Sequence, residues 1–294
     1  MTDKPKRRRF RYCLRALLII AAMFAIACSW HGCKMLWRET QKTAKMQAVI
    51  AKIESSGGKA FRWSSVSDEP TLECMEITDA GMVHLKNFTD LRMLRLSSTQ
   101  ITDAGLVNLE GWTNLETLWL DRTQITDSGL VHLEGLPILR CLDLGSTHIT
   151  DAGLVHLEGL MSLKKLFLVD TQITDAGLVH LKDLKNLEEL YLTGAQITDA
   201  GLVHLKELTN LKALSLADTQ IGDPGLVHLK DITNLKALSL ADTQVGDPGL
   251  VHLKGLANLE SLDLFLTQVS DEGVKELQEA LPDCRIYHKV PPQI

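Results

Sequence analysis

The pentapeptide Ile-Thr-Asp-Ala-Gly, or a close variant, begins at Ile77 and returns at Ile101, Ile125, Ile149, Ile173, Ile197, Ile221, Val245 and Val269, each time 24 residues on and with no insertion. A unit this short cannot enclose a core of its own. Its apolar residues are buried only when the next copy stacks on them, so the fold is an array. Around the pentapeptide, Leu91-x-x-Leu94-x-Leu96-x-x-Thr99-x-Ile101 recurs with first residues at 91, 115, 139, 163, 187, 211, 235 and 259, giving eight complete units over residues 91–282. Residues 61–90 read as a degenerate first unit that caps one end, with Pro70 at a core leucine position. Residues 283–294 cap the other end, and 281–290 (LPDCRIYHKV) supply a closing half-strand.

Each position in the unit has a physical reading. Alternation over Leu94-Arg95-Leu96 predicts a short strand with both leucines inward and the residue between them outward. The threonines at 99, 123, 147, 171, 219, 243 and 267 place a hydroxyl where it can satisfy turn backbone; Ala195 breaks the column. Asp79 and its equivalents suit a helix N-cap, with Pro224 and Pro248 at the first helical position. The glycine two residues after each Asp gives room for close approach of helix and strand layer. Leu106, Leu109 and Trp112 form the buried helix stripe.

This pattern resembles the leucine-rich repeat family over about three quarters of the chain, and TxITDxGLxxLxxL is most similar to its cysteine-containing subtype, here with Thr at the Asn/Cys position. With the basic amino terminus it is also similar to bacterial membrane-anchored members. The resemblance implies an α/β solenoid, a curved array with parallel strands on the concave side and short helices on the convex side, and protein recognition on the concave face without catalysis. Relatives of the subtype act as substrate receptors of ubiquitin ligases through an F-box module, for which residues 39–60 leave no room.

The amino terminus is built differently. Seven basic residues stand between Lys4 and Arg15, and Ala16–Cys33 holds no charged residue apart from His31. These 18 residues reach ~27 Å as a helix, against a hydrocarbon core of ~30 Å. We read 1–15 as a basic cytoplasmic segment, 16–33 as a transmembrane or signal segment, and 34–60 as an amphipathic juxtamembrane helix (39–54) with a linker. The basic flank orients the repeats outward. A lipoprotein anchored at Cys28 and a cleaved, secreted form remain alternatives. Residues 1–38 hold nine basic residues and one acidic, whereas 39–294 hold 22 basic and 36 acidic. That acidic body argues against nucleic acid as a partner.

No nucleophile with a base, phosphate loop or H-E-x-x-H occurs in a plausible setting, so we expect neither an enzyme nor a cofactor. The six cysteines show no metal-binding or disulfide spacing. Histidines at 84, 132, 156, 180, 204, 228 and 252 share one repeat position; we read them as a solvent-facing column copied by duplication, with no metal expected.

The copies differ most at positions 3, 5, 7 and 8 of the unit. Position 5, the outward strand residue, reads Arg95, Trp119, Asp143, Phe167, Tyr191, Ser215, Ser239, Asp263. Three of the scarce aromatics therefore stand in one column. Lys165 and Glu189 (position 3), Arg122 and Asp170 (position 8) and His148 (position 10) surround them. Exposed aromatics flanked by charge are typical of interface hot spots. The candidate partner-binding residues are Arg95, Trp119, Arg122, Asp143, Lys165, Phe167, Asp170, Glu189 and Tyr191, and the ligand expected is a protein or peptide. Two other readings stay open: an envelope spacer without a specific partner, and a carbohydrate-binding surface protein. Phe265 and Leu266 are expected to lie under the carboxy-terminal cap around Tyr287.

Overall fold

The computed structural model describes residues 47–48, 50–55, 59–64, 71–86 and 88–288. The basic segment 1–15, the hydrophobic segment 16–33 and Pro70 lie outside them. No helix among the described residues is long and apolar enough to cross a membrane. The chain divides into two compact units, 1–51 and 52–294, and all the repeats belong to the second.

Eleven strands form one sheet in chain order: β1 (Lys59–Ser64), β2 (Thr71–Met75), β3 (Met93–Arg95), β4 (Thr117–Trp119), β5 (Cys141–Asp143), β6 (Lys165–Phe167), β7 (Glu189–Tyr191), β8 (Ala213–Ser215), β9 (Ala237–Ser239), β10 (Ser261–Asp263) and β11 (Arg285–Tyr287). From β2 onward every pairing is parallel. From β3 to β11 each residue faces its equivalent 24 positions on, so like positions align in rows across the sheet. The predicted inward residues Leu94, Leu96, Ile101, Leu106, Leu109 and Trp112 are all fully buried, as are nearly all their equivalents. Each threonine of the buried column donates its hydroxyl to the carbonyl three residues earlier at 2.5–2.7 Å. At Ala195 the backbone N–H reaches the same carbonyl, Leu192 O, at 3.0 Å.

The first unit departs from its expected register. Leu72 pairs with Leu94 and Glu73 with Arg95, 22 residues apart, because the turn between this strand and Ile77 is two residues shorter. Leu72, fully buried, therefore holds the core place assigned to Pro70. β1 closes this end as an antiparallel partner of β2. Ile53, in a helical stretch, is fully buried and sits 3.4 Å from where a Gly81 Cβ would stand.

Opposite the strands, the units make a single α-turn followed by a 3-10 turn, as at Asp103–Leu106 and Val107–Leu109, an α-turn alone at Asp79–Met82 and Asp247–Leu250, or a 3-10 turn alone at Gly177–Leu181, Gly201–His204 and Asp223–His228. Only the last unit extends to ten residues, Asp271–Ala280. The N-cap is Thr102, Thr126 or Thr150, not the aspartate, which is the first helical residue; Pro224 and Pro248 are accordingly second.

The aspartate works between units. Asp79 Oδ1 accepts the Thr102 N–H at 2.9 Å and its Oδ2 accepts the Thr102 hydroxyl at 2.6 Å. The same pair of bonds recurs from Asp103 to Thr126, Asp127 to Thr150, Asp151 to Thr174, Asp175 to Thr198 and Asp247 to Ser270. At Gly222 and Gly246 only the amide bond to Asp199 and Asp223 is made. Each Thr hydroxyl at 102, 150, 174 and 198 also accepts the amide two residues on, so one residue links two units and starts a helix. The glycine column follows from this. A Cβ on Gly105 would stand 2.5 Å from Asp79 Oδ1. The space that glycine leaves open is filled by the preceding unit's carboxylate, not by the strand layer.

A double-mutant cycle tests the coupling. Gly105→Ala will cost about 1–3 kcal/mol in denaturant unfolding, whereas Gly135→Ala, with open space around its Cβ, will be neutral or slightly stabilising. Combining Gly105→Ala with Asp79→Ser will cost less than the sum of the two by about 1 kcal/mol.

Candidate functional site

Exact alignment of the parallel strands converts a sequence column into a surface row. Glu73, Arg95, Trp119, Asp143, Phe167, Tyr191 and Ser215 pair in succession across β2 to β8, and Cys141, Lys165 and Glu189 form a second row beside them. Seven of the nine residues predicted for recognition therefore meet on one sheet face. Trp119, Asp143, Phe167, Glu189 and Tyr191 are half-buried, Arg95 and Lys165 exposed.

The aromatic rings are ordered by their neighbours. Phe167 and Tyr191 stack with centroids 4.6 Å apart and planes 4° from parallel. That separation matches the ~4.8 Å strand spacing, so the rings stand face to face along the row and turn their edges outward. The Arg95 guanidinium lies over the Trp119 ring, 4.5 Å from its centroid, and Arg95 Nε is 3.7 Å from Glu73. Trp119 Nε1 is buried without a hydrogen-bond acceptor. Glu189 holds Lys165 at 2.7 Å and accepts the Tyr191 hydroxyl at 3.2 Å. Asp143 Oδ1 accepts the Gly145 N–H at 2.9 Å, and among the described residues no cation lies within ion-pair distance of this carboxylate.

The titration of these groups follows from their surroundings. Burial pushes the Asp143 carboxyl above its usual range, with Asp121 adding to the shift and the Gly145 amide and Arg95 opposing it. The Tyr191 hydroxyl is pushed up by burial and by Glu189, and the Cys141 thiol to about 11, chiefly by burial. The hydrogen bond to Glu189 raises Lys165.

Arg122 and Asp170 stand apart. Both occupy position 8, where the backbone is left-handed in every unit: Ser98, Arg122, Ser146, Asp170, Gly194, Asp218, Asp242 and Leu266 all have φ between 53° and 72°. Asp and Gly suit that conformation. Variation here thus answers a turn requirement as well as exposure. Leu266, expected under the terminal cap, is 63% exposed. The His column is less solvent-facing than expected. His132, His156 and His180 lie 2.6–3.0 Å from Glu110, Glu134 and Glu158 of the preceding units and keep only 22–28% of their side-chain surface exposed. Among the described residues no group of three potential ligands could hold a metal ion.

Three features escaped the sequence. Glu73 joins the row through the two-residue shift of the first unit, for which the Leu72-x-Cys74 alternation is the only signal. Ser97 hydrogen-bonds Asp121 across β3 and β4. Along one edge of the strands Glu116 lies between Arg92 and Arg140 (3.0 and 3.5 Å), and Glu188 between Lys164 and Lys212 (2.6 and 2.5 Å). The two lysines bring the Glu188 carboxyl down to about 2.

Family models for leucine-rich repeats match residues 89–132, 136–157, 162–204, 207–229, 232–253 and 255–277. The chain belongs to the leucine-rich repeat family. Internalin C2 of Listeria monocytogenes is 30% identical, with the match covering 72% of this chain and 84% of that one at a TM-score of 0.55. A leucine-rich repeat protein of Leptospira interrogans is 22% identical, over 69% of this chain and 56% of that one, with a TM-score of 0.51, a likeness of fold. A comparison with curated proteins finds no match. The leucine-rich repeat is a protein-interaction architecture, which is the functional class this chain inherits.

Two carboxylates give opposite pH responses. Asp143 titrates higher when folded, so its contribution is present below the unfolded value near 3.8 and is lost as pH rises through the folded one; Asp143→Asn, which keeps an acceptor for Gly145, will raise the unfolding midpoint at pH 7 and leave it unchanged at pH 3. Glu188 titrates lower, so its contribution is present above about 4.5 and lost as pH falls toward 2. Glu188→Gln will lower stability at pH 7, by under about 1 kcal/mol because solvent screens the pairs, and not at pH 2. Urea titrations at the three pH values check both.

Proposed function

We propose that the protein is a membrane-anchored, non-catalytic recognition module that binds a protein or peptide on the outward, concave face of its strand sheet, over the row from Arg95 to Tyr191. The observation that carries this reading is the arrangement of that row: an arginine on an indole, a carboxylate without an ion pair among the described residues, and a stacked Phe-Tyr pair, all on a scaffold whose inward rows are filled by buried leucines. Buried aromatic and Arg anchors carry most of the binding energy in protein interfaces. On this face strands β8 and β9 offer only Ala213, Ser215, Ala237 and Ser239, so the aromatic anchors are confined to one part of the sheet.

The sugar-binding reading is less well supported. Stacking on a sugar needs a ring face turned to solvent, whereas the rings of this row turn their edges outward, Phe167 and Tyr191 stacked on each other and Trp119 under Arg95. Anchoring through residues 16–33 with the basic end in the cytoplasm rests on the charge asymmetry of the amino terminus. Cys74 and Cys284 are buried, so topology is best read from a cysteine introduced at exposed Ser128. Labelling of Ser128→Cys by an impermeant maleimide in intact cells supports an outward array, and labelling only after lysis overturns it.

Photocrosslinking of the full chain in its native membrane tests the site. Wild type will capture a partner that a Trp119→Ala/Phe167→Ala/Tyr191→Ala variant of unchanged circular dichroism loses. Equal capture by both refutes the row as the interface, and the absence of any specific partner favours a spacer.

A further inference from the structure

The β4–β6 part of the row has the construction of a receptor for a cationic side chain. We infer that the slot between Trp119 and Phe167, floored by Asp143, takes a Lys or Arg side chain of the partner; this rests on the interaction-module reading above and specifies what the partner must present.

The geometry follows from register and stacking. Trp119, Asp143 and Phe167 are direct neighbours on three successive strands. Parallel strands ~4.8 Å apart set the two aromatic residues ~9.6 Å apart. Because Phe167 stacks on Tyr191 with parallel planes, its other face looks toward β5. Arg95, coming from β3, covers the Trp119 face on the far side, which leaves the face on the β5 side for the slot. A layer of atoms in contact with both rings needs ~7–8 Å between them, at ~3.5–4 Å per contact. One guanidinium plane or one methylene chain fits, and two layers do not.

The floor supplies the charge. One oxygen of Asp143 accepts the Gly145 amide, and its other oxygen makes no bond among the described residues. The nearby cations are engaged elsewhere, Arg95 with Glu73 and the indole, Lys165 with Glu189. A carboxylate that burial disfavours, held open between two ring faces, is stabilised by an incoming cation, which would meet both faces and the negative charge at once. The acidic balance of residues 39–294 steers such a partner toward the surface. Asp143→Asn is accordingly expected to gain stability at neutral pH while losing binding, a pairing that a purely structural aspartate does not give.

Fluorescence anisotropy of the full chain with a labelled octa-arginine peptide tests this at two ionic strengths, with the unfolding midpoint of each variant confirming the fold. Asp143→Asn is expected to weaken binding about fivefold to tenfold, as are Trp119→Leu and Phe167→Leu, which leave the charge untouched. Asp242→Asn, an equal charge change on an exposed turn of the same array, is expected to change it less than about twofold. Equal losses for Asp143→Asn and Asp242→Asn would overturn the slot in favour of general acidity, as would undiminished binding by both leucine variants. If the native partner is lost by the triple aromatic variant but retained by Asp143→Asn, the module stands and the cation slot falls. If the triple variant keeps the partner, the module reading itself fails.

Discussion

The array depends on a carboxylate that belongs to one repeat and is satisfied by the next. An aspartate at the first position of each helical turn accepts the amide, and usually the hydroxyl, at the helix start of the following unit. These bonds fix where each helix begins relative to its neighbour, and the parallel strands fix the other edge of the unit. From Gly105 to Gly273 the helix glycine of the following unit is the steric condition for the bond, since a Cβ there would collide with the carboxylate. A register slip by one residue would therefore break hydrogen bonds, create a clash and turn the buried leucines outward together. A ladder of asparagine side chains at 114, 186, 210, 234 and 258, each donating to a carbonyl of the preceding unit at 2.7–3.1 Å, repeats the same logic at the turn before the strands.

Rigid register is what makes the variable face meaningful. Because residues at position 5 meet their equivalents without offset from β3 onward, five unrelated side chains separated by 24 residues become a continuous surface. Most of the scaffold is satisfied internally: the leucines are dry, the threonines bond their own turns and the aspartates bond the next unit, while the core Trp112 indole N–H is buried without an acceptor among the described residues. The outward row carries fewer of those duties, and there, among the described residues, Asp143 has no cation within ion-pair distance.

Much of this was legible in the sequence. Alternation around Leu94 and the recurrence of Ile101, Leu106, Leu109 and Trp112 specify a stacked array and its core, because burial alone determines them. The row from Arg95 to Tyr191 was legible for the same reason, since identical spacing implies aligned strands. Asp79 was misread because a helix start offers an aspartate a local explanation, while its true partner lies 23 residues away. Pro70 was misplaced because a two-residue shortening of a turn leaves no trace in a degenerate unit. At Arg122 and Asp170 the sequence did not show the left-handed turn, because such a backbone appears in one sequence only as tolerance of dissimilar residues. The Phe167–Tyr191 stack and the Glu73–Arg95 contact depend on rotamers, which spacing does not encode.

Amide hydrogen exchange of the full chain tests the inter-repeat carboxylate most directly. The account predicts that the amides of Thr126, Thr150, Thr174 and Thr198, which point at side chains of the preceding unit, exchange as slowly as the strand amides of Leu142 and Leu166, and that Asp151→Ala strips protection from Thr174 first. Fast exchange at these threonines beside fully protected strands would show that strand pairing and leucine burial hold the array without the carboxylate, and would contradict it.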